Sequence, residues 1–293
     1  MLPIKVKNLS KSFGSKRALD GISFSIDGPE IVGIIGPNGA GKTTLIRILT
    51  GLLKPDSGRV ELFGRAPEKA RELFALLPQD VRAHFYTLTP RDYVYHYLRM
   101  RGLSKEEARE KADKAMEGFG IDYADELFST LSGGMVRRAL LAMVLSAEVP
   151  LYFLDEPTVG LDVQNRLKLW EILRKRAEET IIILTSHYLN EISSVCDRVL
   201  LLKAGKIVAD GKPEEIAREY LSGFISKVVA FGKVSLEGFL LRRAGRHTYI
   251  YARSKAEERG IIERLEELGI PFKREDVTIE DVFLVGGIDD GAY

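Results

Sequence analysis

The chain has 293 residues, 45% of them hydrophobic, and 43 Lys and Arg against 42 Asp and Glu leave a formal net charge of +1. That length exceeds the usual span of one domain and suggests two units with apolar residues enough for a substantial core, while the balanced charge gives no global attraction to nucleic acid or an anionic membrane. The single cysteine, Cys196, excludes an intramolecular disulfide and a thiol-rich metal centre and suits a reducing cytosol.

No uninterrupted apolar core lies between Met1 and Gly14, so a secretory signal is not expected. Short β-branched or apolar runs at Ile4 to Val6, Ile22 to Ile26 and Ile31 to Ile35 read as strands, followed by a helix at Thr44 to Leu49 and strands at Val60 to Leu62 and up to Leu77. From about residue 82 to 145 the pattern changes to a helical insertion, with helices at Thr89 to Arg101, Lys105 to Phe119 and Met135 to Leu145. The longest apolar stretch, Ala139 to Leu154, is broken by Ser146, Glu148 and Pro150; it falls short of the roughly 20 residues a spanning helix needs and reads as a buried helix running into a buried strand. Further strands at Leu151 to Leu154, Ile181 to Leu184 and Val199 to Leu202 complete an alternation that argues for an α/β domain with central parallel strands. The turn Lys203-Ala204-Gly205-Lys206 leads through Asp210-Gly211-Lys212-Pro213 into a helix at Glu214 to Leu221, and the first domain, 1–223, ends near Gly223. A small α+β domain over 224–293 follows: strand Lys227 to Phe231, an ambiguous run Leu236 to Arg243, strand His247 to Ala252, helix Lys255 to Leu268 and strand Pro271 to Arg274, with a frayed end from Gly286.

Between the strand at Ile31 to Ile35 and the next helix stands Gly36-Pro37-Asn38-Gly39-Ala40-Gly41-Lys42-Thr43, the pattern G-x-x-x-x-G-K-S/T. Its glycines let the backbone close round a polyphosphate so that N–H groups and the positive helix end face the anion, which points to ATP. Lys42 is expected on the β and γ phosphates, Thr43 on Mg²⁺, and Thr44 beside them. Leu151-Tyr152-Phe153-Leu154-Asp155-Glu156 ends a buried strand in two acids. Strand alternation would send Asp155 to the Mg²⁺ shell and Glu156 to the attacking water.

Ser132, Gly133 and Gly134 precede a helix and offer a second anion site, although alone such a segment is most often a plain cap. His187 follows a strand end where ligands collect and reads either as a γ-phosphate contact or as a satisfied loop histidine; Gln79, after Leu77-Pro78, is placed to reach the Mg²⁺ or the water.

The order of these elements, with Gly160-Leu161-Asp162 between the acids and His187, resembles the ATP-binding cassette family over roughly residues 3 to 215. The resemblance implies a P-loop NTPase core with an antiparallel β edge and a helical subdomain. It implies that Phe13 stacks on adenine, Gln79 links the site to a membrane partner, Glu156 is the catalytic base, Asp162 lies at a dimer interface and His187 is a switch residue. The chain departs from the pattern at Met135, where the signature usually carries glutamine, and at Asp92, where relatives often have glutamate. Thr278-Ile279-Glu280-Asp281-Val282-Phe283-Leu284 resembles the closing motif of daunorubicin-resistance-type exporters, and a short amphipathic helix would show the same spacing.

By that resemblance the chain is an ATPase subunit powering transport, most simply export, with ATP sandwiched between Lys42 of one copy and Ser132 of a second. A separate integral membrane permease is the expected partner, with the chain cytoplasmic and peripheral at the inner face of the membrane and no nucleic acid bound. Tyr86, Tyr93, Tyr95 and Tyr97 either line the groove for that partner or pack the helical core. An importer ATPase and a cassette ATPase acting on ribosomes or chromosomes are the alternatives. Chromosome-maintenance relatives carry long coiled coils that are absent here, and ribosome-acting ones usually carry two cassettes.

Overall fold

The apolar runs Ile31 to Ile35, Leu151 to Leu154 and Ile181 to Leu184 set the frame of the first part of the chain. The computed structural model describes residues 3–79, 87–186, 189–221 and 223–285. Among these, one compact unit takes in 3–186 and 195–208, and a second takes in 189–194 and 209–285.

The first unit opens with the long strands β1 (Ile4–Phe13) and β2 (Lys16–Ile26), then β3 (Glu30–Ile35), helix α1 (Lys42–Leu49) and β4 (Ser57–Leu62). Strand β5 (Phe74–Leu77) precedes helices α2 (Pro90–Met100), α3 (Lys105–Gly118) and α4 (Gly133–Ser146). Strand β6 (Leu151–Asp155), helix α5 (Val163–Arg176), strand β7 (Ile181–Thr185), helix α6 (Leu189–Val195) and strands β8 (Arg198–Lys203) and β9 (Lys206–Gly211) follow along the chain, with α6 up to Ser194 and β9 from Ala209 counted in the second unit. Strands β2, β1 and β4 form an antiparallel sheet, and a six-stranded sheet runs in the order β5-β6-β7-β3-β8-β9. From β5 to β8 every neighbour pairs in parallel.

Strands β6 and β7 are buried at every position and β3 at all but its first, as expected where both faces of a parallel sheet are covered. One apolar cluster joins Ile4, Leu19 and Leu62 of the antiparallel sheet to Leu45 and Leu49 of α1 and to Phe153 and Ile183 of the parallel one. The parallel order puts the carboxyl ends of β3, β6 and β7 side by side, which is where open α/β sheets collect ligands.

Helices α2, α3 and α4 make a separate core around Val94, Leu98, Ala108, Ala112, Met116 and Ala142. Tyr93, Tyr95 and Tyr97 pack partly buried against it, with Tyr93 edge-on to Phe128, whereas Tyr86 lies outside the described residues. Asp92, the residue that stands where relatives often have glutamate, completes a reciprocal cap with Thr89 at the start of α2.

Strand β9 follows the Ala204-Gly205 turn, where sequence reading places no strand. Its residues alternate between exposed and half-buried, so it lacks the apolar run that marks the interior strands.

In the second unit helix α7 (Pro213–Tyr220) precedes strands β10 (Ser226–Ala230), β11 (Leu240–Ala244) and β12 (His247–Ala252), helix α8 (Lys255–Glu267), strand β13 (Phe272–Glu275) and helix α9 (Ile279–Val285). The strands form an antiparallel sheet in the order β11-β12-β10-β13. The ambiguous run Leu236 to Arg243 therefore supplies its edge strand. Ile261 and Leu265 of α8 pack on Val228, Ala230, Ile250 and Ala252. At the intervening positions Lys227 and Tyr251 bond Asp281 of α9, and α9 packs on α7. The expected frayed end, 286–293, lies outside the described residues.

Candidate functional site

The glycine-rich segment after β3 turns tightly because its two fixed glycines have no room for a side chain. A Cβ on Gly36 would stand 2.1 Å from the Leu202 carbonyl oxygen of β8, and one on Gly41 would stand 2.5 Å from that of Ala18. Both have positive φ, 151° and 112°. Gly41 is the cap residue of α1 and no side chain caps that helix, so its leading amides keep their dipole for an anion. The Lys42 ammonium donates to the carbonyls of Gly36 (2.7 Å) and Pro37 (3.2 Å). Burial pushes its pKa down, and the nearby carboxylates of Glu156 and Asp155 push it back up.

Asp155 ends β6 and accepts a hydrogen bond from the Thr185 hydroxyl at the end of β7, its register partner. The two acids are not separated by strand alternation, as sequence reading expects. The strand stops at Asp155, and Glu156 adopts a left-handed conformation, φ 52°, which turns the chain there. Two side chains hold that conformation. The Glu156 N–H donates to Thr185 Oγ1 at 2.9 Å, and the Glu156 carbonyl accepts from Arg137 at 2.6 Å.

Lys42, Thr43, Thr44, Asn38, Gly39, Gly41, Gln79, Glu156 and Phe13 share one cavity of about 290 Å³ with Lys16 and Ala18. The Thr43 hydroxyl donates to Gln79 Oε1 at 3.3 Å. Phe13 is 52% exposed at the cavity edge, so an apolar ring stands open to a flat partner. Pro37 contributes its carbonyl to Lys42, and Ala40 is buried in the turn beneath.

Ser132 and Asp162 come together in a different cavity of about 350 Å³ with Gly134, Met135, Arg138, Gly160 and Asn165. Ser132 caps α4 through the Met135 amide (3.4 Å), and Asp162 caps α5 through the Asn165 amide (2.8 Å), so two helix N-termini open on one surface. Gly134 is held close: a Cβ there would stand 2.7 Å from the Gly160 carbonyl oxygen, while one on Gly133 would meet nothing. The Met135 carbonyl accepts from Tyr123 at 3.0 Å. The two cavities share no lining residue among the described ones. His187 lies outside the described residues.

Sequence reasoning missed Arg137, Thr185 and Arg138. Arg137 had a usable signal, since it falls on the same helical stripe as the buried Leu140, Leu141 and Val144, where a cation needs a reason. Thr185 closes an apolar strand directly beside Asp155, but only the register reveals that pairing.

Residues 19–159 match the family described as ABC transporter. The chain is 34% identical to the daunorubicin resistance ATP-binding protein DrrA3 of Streptomyces coeruleorubidus, over 96% of this chain and 94% of that protein. It is 32% identical to the Nod factor export ATP-binding protein I of Burkholderia orbicola, over 96% of each. Among solved structures, an ATP-binding subunit of an ABC transporter matches 75% of this chain and 93% of its own with a TM-score of 0.69 at 28% identity. The dimeric post-hydrolysis state of an ATP-binding cassette bound to ADP and Pi matches 71% of this chain and 98% of its own with a TM-score of 0.64 at 26% identity. A glycine cradle under Lys42, two acids at the end of β6 and relatives matched almost end to end lead to one assignment: the chain belongs to the ABC transporter family and is an ATPase.

Proposed function

We propose that the chain is the ATP-hydrolysing subunit of an exporter, working head to tail with a second copy of itself and driving a separate membrane permease. The observation that carries this reading is the separation of the two anion-facing surfaces. Among the described residues the Lys42 cavity and the Ser132 cavity share none, so a second copy is the simplest source of the second surface for one ATP. Phe13 would take the adenine, and the amides of the Gly36 to Thr43 loop, Lys42 and Thr44 the phosphates. Ser132, Gly133, Gly134 and Asp162 would meet the same nucleotide from the partner copy.

Thr43, Gln79 and Asp155 would hold Mg²⁺. They fit that ion: a hydroxyl, an amide oxygen and one carboxylate are hard donors, and Mg²⁺ takes few protein ligands because it keeps water and phosphate oxygens. When bound, the ion would offset charge on the β and γ phosphates. Glu156, presented by its left-handed turn at the edge of the Lys42 cavity, would orient and deprotonate the attacking water, with His187 beside the γ phosphate.

The export direction rests on relatives named for drug resistance and Nod factor export. A separate permease and a peripheral site on the cytoplasmic face are part of the proposal; among the described residues no helix is long and apolar enough to cross a membrane. ATP that moves the pair from 1:99 to 99:1 closed must favour the closed form by about 5.5 kcal/mol, a plausible sum for charge-assisted bonds from two sides. The test is the mass in solution of Glu156→Gln with Mg-ATP. A dimer holding nucleotide is expected, and a monomer at every ATP concentration would remove the sandwich.

A further inference from the structure

Arg137 is 7% exposed, and among the described residues its guanidinium donates to backbone carbonyls. Its five N–H groups have five separate acceptors. Nη1 donates to Pro78 (3.2 Å) and Gln79 (3.3 Å), Nη2 to Asp155 (2.9 Å) and Glu156 (2.6 Å), and Nε to Pro157 (3.4 Å). Burial disfavours the charge, the nearby carboxylates of Asp155 and Glu156 offset part of that cost, and removing the guanidinium would take this donor from five carbonyls at once.

The acceptors belong to the two segments that feed the Lys42 cavity. One carries Gln79, whose side chain accepts from Thr43; the other carries the left-handed Glu156. The donor itself rides on α4, five residues after the cap Ser132, about one and a half turns along the same helix. One rigid helix therefore has its N-terminus in the second cavity and its guanidinium on the backbone of the first.

We propose that Arg137 is a positioning residue that couples the two ATP sites of the paired chains: docking of the partner's nucleotide on the Ser132 end of α4 is transmitted through the guanidinium fork to Gln79 and Glu156 of the same chain. This rests on the sandwich reading. A shift of α4 moves all five hydrogen bonds together, so hydrolysis in a chain's own cavity depends on occupancy of its other surface. Lysine, with three donors and no planar fork, cannot keep both segments in register.

The test uses the full chain as Arg137→Gln and Arg137→Lys, alone and combined with Glu156→Gln. ATP binding by each single variant should stay within about threefold of the parent and the combined variants should still dimerise with Mg-ATP. Turnover should fall by roughly 10- to 100-fold at unchanged KM, the scale of a displaced catalytic group. The Hill coefficient for ATP should drop to one, with Arg137→Lys intermediate in turnover. Parental turnover and cooperativity in either folded variant would overturn the proposal while leaving the sandwich intact. Loss of folding in both would assign the side chain to the core and also overturn it. Failure of Glu156→Gln alone to dimerise would instead remove the sandwich reading.

Discussion

Each unit of the chain buries a lysine, and the two lysines are treated in opposite ways. In the second unit Lys227, 3% exposed, is neutralised directly: its ammonium lies 2.8 Å from Asp281, a fully buried carboxylate that also accepts from the Tyr251 hydroxyl (2.8 Å) and the Thr278 amide (2.7 Å). Burial and that carboxylate push the Tyr251 hydroxyl well above its ordinary pKa. In the first unit Lys42, 9% exposed, is held by the carbonyls of Gly36 and Pro37 at the wall of a cavity. A closed network satisfies itself and fixes a fold, whereas a buried cation held by neutral acceptors beside open space keeps its charge for a ligand.

Opening the closed lysine network of the second unit should be the most costly change. Asp281→Ala strands Lys227 in the core and should cost about 3–5 kcal/mol in denaturant unfolding of that unit, with the ATP affinity of the full chain unchanged. The pair Lys227→Met with Asp281→Leu should recover most of it. A loss in Asp281→Ala no larger than that of an exposed pair, below ~1 kcal/mol, would show the network to be incidental.

Glu156→Gln works the other way, leaving thermal unfolding unchanged while steady-state hydrolysis falls by at least ~10²-fold and ATP binding persists. Gly134→Ala sharpens the role of the second cavity. Its Cβ would stand 2.7 Å from the Gly160 carbonyl, so a strain of about 1–3 kcal/mol should appear in stability together with weaker ATP-induced pairing.

The smallest effect is acid sensitivity. The hydrogen bond from Lys273 (2.6 Å) and the charge of Lys227 (3.6 Å) hold the Glu275 carboxyl below its ordinary range. Its folded pKa is depressed, so its contribution is fully present above about pH 4.3 and is lost as pH falls through the folded value. Glu275→Gln should flatten the acid limb of the second unit's stability profile in a pH series of denaturant melts.

Much of the first unit is legible in sequence because its signals are local. Apolar runs that end in Asp155 or in Gly36 mark the interior strands, and the glycine spacing marks the tight turn before α1. What escapes is set by distant partners. The turn at Glu156 depends on Thr185 and Arg137 closing on its peptide, and nothing in Leu-Asp-Glu-Pro announces a positive φ. Asp281 sits among Ile279, Val282 and Phe283 in a motif that reads as an amphipathic helix, yet its partner Lys227 lies 54 residues earlier. Strand β9 escapes because an exposed edge needs no apolar run.

In the proposed sandwich, one copy's Lys42 cavity closes on another copy's Ser132 surface around ATP. Asn38 and Ser132 are exposed, one on each cavity, and the native Cys196 is buried with its thiol pushed up by burial, so it will not compete for reagent. A chain carrying Asn38→Cys and Ser132→Cys on the Glu156→Gln background, treated with a short bismaleimide, should give a dimer cross-linked between those two positions only when Mg-ATP is present. Absence of that product at saturating ATP, with nucleotide demonstrably bound, would contradict the account.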